Sequence, residues 1–142
     1  MSNKENLRVI HNLAEAVNAR NWDHFTELFA ESVIFTHPVF SEPQKGVAVI
    51  KEFFNKMTTS LDLHIEKKRA FESGDLCCVE WITSGTNIKP LELPGNPPIP
   101  ATNKSFKINS VAVFKVENDK ITEYNVYVDR IGLLKQLGIK PS

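Results

Sequence analysis

Apolar residues recur every three or four positions in three early segments of the chain, and this spacing predicts three amphipathic helices. The first helix is predicted over residues 5–20, the second begins after Asn21, and the third covers residues 47–59. The segment 33–38 has the composition of a short strand. It should end at Pro38, because proline interrupts regular backbone structure at the residue before it.

After residue 61 the apolar spacing changes to every second position, which indicates β-strands. Four strands are predicted over residues 62–72, 76–88, 104–117 and 120–129, and one or two helical turns follow the last of them. Short turns join the first strand to the second and the third to the fourth, so these pairs should be antiparallel. The stretch "KPLELPGNPPIPATN" should lie outside the sheet interior, because proline cannot donate a ladder hydrogen bond.

Helices that precede a run of strands indicate an α+β fold, with a curved antiparallel sheet packed on three N-terminal helices. Because the helices are too few to cover the whole sheet, a cavity should remain between the two layers. The 142 residues show no internal repeat and no linker, so we predict one domain over residues 1–142.

The charge balance excludes some classes of partner. Lys and Arg number 17, as do Asp and Glu, and the resulting net charge of zero would not attract nucleic acid or an anionic membrane. The first residues lack the apolar stretch of a secretory signal, and no apolar run has the roughly 20 residues that span a bilayer. Cys77 and Cys78 are neighbours on a predicted strand and are badly placed to pair with each other. We therefore expect a reduced, cytoplasmic protein.

The chain has no glycine-rich phosphate loop, no His, Cys or Asp at metal-ligand spacing, and no nucleophile–base motif. We therefore expect neither a cofactor nor a metal. The remaining candidate for chemistry is the last predicted strand, "ITEYNVYVD", which ends on a carboxylate.

Side chains alternate along that strand, so its residues divide between two faces. One face carries Asn125, Tyr127 and Asp129, and the other carries Thr122, Tyr124, Val126 and Val128. Both faces contain apolar bulk, so neither should simply meet water. We assign the Asp129 face to the cavity and expect the opposite face to contact a second subunit, in a homodimer formed through the sheet.

Five segments together resemble a known family. They are "NARNWDHFTELFAESVIFTHP", "KGVAVIKEFF", "SGDLCCVEWITSGT", "VAVFKVENDKITEYNVYVD" and "LLKQLG", with the proline-rich loop between the third and fourth. Their order over about 130 residues resembles the SnoaL-like polyketide cyclases of the nuclear transport factor 2-like superfamily. The resemblance implies a cone-shaped sheet with a deep pocket, commonly in a dimer.

The resemblance also implies a role for Asp129, since the aspartate at this position in such cyclases moves a proton beside a carbonyl during intramolecular aldol ring closure. A base for a C–H proton must be partly desolvated, which raises the pKa of a carboxylate. Tyr127 and His37 would then donate hydrogen bonds to the developing enolate oxygen. A structural alternative stays open, because Asp129 also stands where it would cap the following short helix. The two roles can coexist.

The other candidate binding residues follow from their places on the predicted elements. Trp81 should form core or pocket wall, Phe53 or its neighbour Phe54 should floor the pocket, and Asn109 or Ser110 should offer a hydrogen bond inside it. With Asn125 and Tyr127, these residues form the predicted substrate-binding set.

The chain departs from some cyclases of this type, which place a histidine on the strand predicted here at 104–117. No histidine follows His64, so His37 would have to substitute. The sequence therefore supports two principal hypotheses. One is a cyclase or isomerase that acts on an apolar carbonyl compound with Asp129 as base. The other is a non-catalytic dimer that binds a small apolar ligand, with Asp129 as a helix cap or polar anchor. A dimeric protein–protein adaptor is a third hypothesis.

Overall fold

The computed structural model describes residues 4–140. Its elements are α1 (Lys4–Ala19), α2 (Trp22–Glu27), β1 (Phe29–Thr36), β2 (Gln44–Lys45), α3 (Val47–Leu61), β3 (His64–Ser73), β4 (Leu76–Thr86), β5 (Ser105–Glu117), β6 (Lys120–Val128) and α4 (Arg130–Gln136). The three early helices, the four later strands and the closing helix all occur where the periodicity predicts them.

The six strands form one curved, open sheet in the order β2-β1-β6-β5-β4-β3. The four later strands, β3 to β6, pair antiparallel with one another, as predicted, and the α+β fold is confirmed. The early strand β1 is parallel to β6, a pairing that brings the end of β1 beside the middle of β6. This parallel contact joins the N-terminal half of the chain to the sheet.

Two features of the early sheet differ from the prediction. β1 begins at Phe29 rather than at residue 33, and its register against β6 shifts between Phe29 and Ile34. The irregularity interrupts the alternation of apolar residues, so periodicity alone does not detect the first half of this strand. The two-residue strand β2 was not predicted because it is too short to show a period.

The helices lie over one face of the sheet and bury its core. The apolar stripe of α1, which includes Ile10, Leu13 and Val17, is fully buried. The side chain of Asn18 also exchanges two hydrogen bonds with the backbone of Ile65 on β3, at 2.8 and 2.9 Å. Because Asn18 both donates and accepts, it fixes α1 along the edge strand of the sheet.

A close backbone approach fixes the end of α3 against β4. A Cβ atom added at Gly85 would lie 2.2 Å from the Leu61 carbonyl oxygen, so only glycine allows this contact. The contact holds α3 over the middle of the sheet and leaves space beside it.

The proline-rich loop lies outside the six strands and is closed by Asn87, which is fully buried. The side-chain oxygen of Asn87 accepts from the backbone N–H and the hydroxyl of Thr102, at 2.9 and 2.8 Å. Its side-chain amide donates to the Lys89 carbonyl at 3.0 Å. These bonds fold the loop back across one end of the sheet. Within residues 4–140, no helix has the length and apolar character that a membrane crossing requires.

Candidate functional site

A cavity of about 450 Å³ lies between the concave face of the sheet, α3, the proline-rich loop and α4. Its walls are mostly aliphatic and aromatic. The polar and charged side chains among the described residues that line it are His37, Trp81, Thr83, Asn96, Ser110, Tyr124, Arg130 and Lys140. A volume of this order suits a small organic ligand.

The face of β6 that lines the cavity is opposite to the predicted face. Tyr124, Val126 and Val128 line the cavity, whereas Tyr127 is 62% exposed and Asp129 is exposed as well. The assignment of the Asp129 face to the cavity, and of the Tyr124 face to a subunit contact, is therefore wrong.

A one-residue bulge between β5 and β6 explains the reversal. Near the hairpin turn Val116 pairs with Ile121, but the next pair is Lys115 with Glu123, so Thr122 is an extra residue. Beyond the bulge Ser110 lies opposite Val128. Without the bulge the register would be shifted by one, and the other face of β6 would meet the cavity.

Asp129 caps helix α4, as the structural alternative predicted. Its side chain accepts a hydrogen bond from the backbone N–H of Gly132 at 2.8 Å. The carboxylate thus satisfies one of the free N–H groups of the first turn. Its exposed position at the helix start places it outside the cavity wall.

His37 lines the cavity, as its predicted role requires, and is only 8% exposed. The Val39 backbone N–H donates to Nδ1 of His37 at 3.1 Å. Since Nδ1 accepts this bond, the ring proton of the neutral imidazole must be on Nε2. The Phe53 ring, 4.7 Å away between centroids, packs against the imidazole and limits its movement.

Burial, with a smaller contribution from the nearby Arg130 guanidinium, lowers the pKa of His37 from 6.5 to about 4. Both causes disfavour the imidazolium, because they penalise a positive charge in an apolar or already positive environment. At neutral pH His37 is therefore uncharged and offers one N–H donor. Its acceptor nitrogen is already occupied by the backbone, so this side chain is suited to donate a hydrogen bond rather than to remove a proton.

Arg130 connects three segments beside His37, and the sequence did not single it out for the site. Its guanidinium donates to the Pro38 carbonyl at 3.1 Å and to the side-chain oxygen of Asn96 at 2.7 Å. Asn96 in turn donates to the Val39 carbonyl at 2.8 Å. This network holds the proline-rich loop against the end of β1, at the side of the cavity where His37 lies.

Tyr124 is a second site residue that the prediction placed on the wrong face. It is buried, and burial raises the pKa of its phenol far above the usual value. Its ring stacks on Phe114 at 4.4 Å and lies 5.2 Å from the ring of Phe35. The phenol is thus a fixed, neutral group in the cavity wall.

Of the predicted binding residues, Trp81 and Phe53 line the cavity. Asn109 is exposed on the outer face, and its neighbour Ser110 lines the cavity in its place. Asn125 is also on the outer face, where its side chain donates to the Val113 carbonyl at 3.4 Å. Together with Tyr127, these two asparagines are corrections to the predicted set.

No aspartate or glutamate is among the described residues that line the cavity. Within residues 4–140, no three His, Cys, Asp or Glu side chains lie close enough together to hold a metal ion. The cavity therefore presents hydrogen-bond donors, hydroxyls and positive charge, without a negatively charged group in its wall.

Comparison with protein families gives a match over most of the chain. A family model described as SnoaL-like polyketide cyclase matches residues 7–137. The chain belongs to the SnoaL-like polyketide cyclase family. A search of the curated proteins found no match.

Solved structures show that this SnoaL-like chain has the nuclear transport factor 2-like fold. TsrD from Streptomyces laurentii is 18% identical, with a TM-score of 0.83 and 99% of each chain covered. A candidate SnoaL-like polyketide cyclase from Jannaschia sp. CCS1 is 15% identical, with a TM-score of 0.84 and coverage of 99% of this chain and 98% of that one. The epoxide hydrolase/cyclase-like enzyme SalBIII is 23% identical, with a TM-score of 0.73 and coverage of 91% and 94%.

Replacement of Asp129 tests its role as a cap. We expect Asp129→Ala to lower the free energy of unfolding by about 1 kcal/mol, because one N–H of the first turn of α4 loses its partner. Asp129→Asn should change stability little, since asparagine caps equally well. Urea denaturation measures both. A variant Asp129→Asn that is as unstable as Asp129→Ala would contradict the capping role.

The lowered pKa of His37 predicts a pH dependence of stability. His37 binds a proton near pH 6.5 in the unfolded chain but only near pH 4 in the folded chain. The contribution of the uncharged His37 to the free energy of unfolding is therefore complete above pH 6.5 and is lost as the pH falls to 4. The loss from this one group should be about 3 kcal/mol.

Urea denaturation between pH 7 and pH 4 measures this loss when the chain is compared with the variant His37→Gln. Glutamine retains one acceptor and one donor but does not titrate, so stability should fall less steeply with acid in this variant. His64→Gln, the same substitution at an exposed position outside the cavity, provides the matched control. Equal slopes for the chain and His37→Gln would contradict the pKa assigned to His37.

Proposed function

We propose that this chain is a cyclase- or isomerase-type enzyme that acts on a small apolar carbonyl compound, with the N–H of His37 donating to the carbonyl oxygen. The observation that carries the proposal is a buried, uncharged imidazole in the wall of an apolar cavity, with its proton on Nε2. Membership of the SnoaL-like polyketide cyclase family supports this class of reaction. The structural neighbour SalBIII, described as an epoxide hydrolase/cyclase-like enzyme, is in agreement with this class of reaction.

His37 would stabilise the negative charge that develops on the carbonyl oxygen of the substrate. When a proton leaves the carbon beside a carbonyl, charge develops on the oxygen, and a donor already fixed in place lowers the barrier. A neutral imidazole serves as such a donor when its pKa is low. The Val39 hydrogen bond and the Phe53 contact hold the ring in position, so little reorganisation is needed during the reaction.

Tyr124 is the second proposed donor to the same oxygen. His37 directly follows Thr36, the last residue of β1, which lies beside Asn125 in the parallel β1–β6 pair. His37 therefore lies at the end of the strand next to the one that carries Tyr124. Both line the cavity and both are buried. Burial makes each hydrogen bond to the developing charge stronger than it would be in water.

In the proposed reaction the proton passes from the carbon to a water molecule in the cavity, and not to Asp129, which caps α4 outside the cavity wall. No carboxylate replaces it among the described lining residues, and this favours a second candidate function, which is binding of an apolar carbonyl compound without turnover. The two candidates share the ligand and the His37 contact. They differ only in whether the proton beside the carbonyl is removed.

Hydrogen–deuterium exchange of 2-tetralone in D₂O separates the two candidates, because exchange beside its carbonyl reports proton removal directly. We expect the chain to accelerate this exchange, as followed by proton NMR. We expect His37→Phe to lower the acceleration by about 10²- to 10³-fold, the usual effect of removing one oxyanion donor. His37→Gln should retain part of the activity, because its amide can still donate.

Two controls accompany this measurement. Asp129→Asn should exchange 2-tetralone as fast as the unmodified chain. Tetralin, the hydrocarbon of the same shape, should raise the melting temperature less than 2-tetralone does, because bound ligand stabilises the folded chain in proportion to its affinity. Binding without acceleration would favour the non-catalytic candidate, and failure of both compounds to bind would overturn the proposal.

We also propose that the outer face of the sheet binds a second copy of the chain. Phe71 is 65% exposed there and Tyr127 62%, with Val111 and Val113 on the strand between β4 and β6. Exposed aromatic and aliphatic side chains on one sheet face are typical of a subunit contact. These residues lie on the same face of the sheet as Tyr127, whereas the sequence analysis expected the Tyr124 face to form the dimer contact.

The dimer proposal predicts that Tyr127→Lys lowers the molar mass measured by light scattering from that of a dimer toward that of a monomer. A charge placed in the middle of an apolar contact is expensive to desolvate, so dissociation should follow. Ile88→Lys is the matched control, since Ile88 is also exposed but lies outside the strands. A monomeric mass for the unmodified chain would contradict the proposal.

A further inference from the structure

We propose that Trp81, with Thr83 and Ser110, forms a second hydrogen-bonding subsite in the cavity, called here the indole subsite, which binds a second oxygen acceptor of the substrate. The inference rests on the function proposed above, and it narrows the substrate class. The substrate would carry two oxygen functions separated by an apolar framework, one at His37 and one at Trp81.

The indole N–H of Trp81 is the principal observation. Trp81 is 4% exposed, and its Nε1 is a buried polar atom with no hydrogen-bond partner among residues 4–140. A buried donor without a partner is unfavourable, and such groups are rare in folded proteins. Since Trp81 lines the cavity, a ligand in that space can supply the missing acceptor.

Two hydroxyl groups accompany the indole. Ser110 lies directly opposite Trp81 in the β4–β5 pair, and Thr83 is two residues further along β4 on the same face. Both line the cavity, and neither hydroxyl takes part in a side-chain hydrogen bond within the described part of the chain. Directly opposed side chains in a sheet stand about 5 Å apart at Cβ, so one ligand oxygen can reach both Trp81 and Ser110.

The indole subsite is separate from His37. In the sheet order, β4 is followed by β5, β6 and β1, so Trp81 and His37 are three strand spacings apart. Measured along the sheet this is about 14 Å, and the curvature of the sheet makes the direct path shorter. Ala112 and Val126 line the wall between them, so a ligand that reaches both ends must be apolar in the middle.

The chemistry of the indole determines what it recognises. Trp Nε1 donates and never accepts, and it does not ionise in the physiological range. It therefore selects a carbonyl or ether oxygen rather than moving a proton. We assign Trp81 to substrate specificity, while His37 acts at the reacting carbonyl.

Two ketones on the same eleven-carbon chain test the proposal: 2-undecanone with one carbonyl and 2,10-undecanedione with two. The flexible chain lets the second carbonyl find the indole subsite without a fixed spacing. We expect the dione to bind about three- to tenfold more tightly than the monoketone, as expected for one additional hydrogen bond. Isothermal titration calorimetry measures both dissociation constants.

The indole N–H signals in a ¹⁵N–¹H NMR spectrum provide a readout that needs no change at Trp81. The sequence contains two tryptophans, so two such signals are expected, and the variant Trp22→Phe assigns them. Saturation with the dione should move the Trp81 signal downfield and slow its exchange with water. The Trp22 signal should stay in place, because Trp22 does not line the cavity.

The variant Trp81→Phe should prefer the dione by no more than about twofold, the statistical effect of its two equivalent carbonyls, whereas Trp22→Phe should keep the full preference. If Trp81→Phe does not fold, the NMR measurement on the unmodified chain decides. A dione preference above about twofold that persists in Trp81→Phe, or a Trp81 signal that does not move, would overturn the indole subsite and leave the proposed function standing. Failure of both ketones to bind would overturn the indole subsite, while binding and exchange of 2-tetralone would still decide the proposed function.

Discussion

One extra residue in the last hairpin determines the chemical character of the cavity. Thr122 interrupts the register between β5 and β6, so the residues beyond it meet β5 one position later than a regular hairpin would place them. Because side chains alternate strictly along a strand, this shift exchanges the two faces of β6. The cavity receives Tyr124, Val126 and Val128, and the polar end of the strand faces outward.

The consequence is an apolar cavity whose few polar groups are hydrogen-bond donors, hydroxyls and cations. Had the register been regular, Asp129 would have faced the cavity near Ile108, and a carboxylate would have been available as a base. With the bulge, the charged groups at the cavity wall are cations, and the histidine is kept neutral by burial and by Arg130. Such an environment favours ligands whose polar atoms are acceptors, which is why a carbonyl compound suits it.

Periodicity predicted most of the fold because each helix and each late strand buries a regular apolar stripe. The same reasoning placed Trp81, Phe53 and His37 near the cavity, since their positions do not depend on the register of the last hairpin. It failed for Asn125, Tyr127 and Asp129, because a bulge has no strong signal in a sequence of alternating residues. Arg130 and the unpartnered N–H of Trp81 depend on contacts between segments far apart in the chain, which local patterns do not reveal.

Asp129 acts on the site indirectly, through the helix that it caps. By satisfying the first turn of α4, it fixes the direction in which the next residue, Arg130, leaves the helix start. Arg130 then bonds to the Pro38 carbonyl and to Asn96, which holds the proline-rich loop over the cavity. The same guanidinium helps to keep the pKa of His37 low. Asp129, which the sequence suggested as a base, is thus connected through α4 and Arg130 to His37, the proposed hydrogen-bond donor.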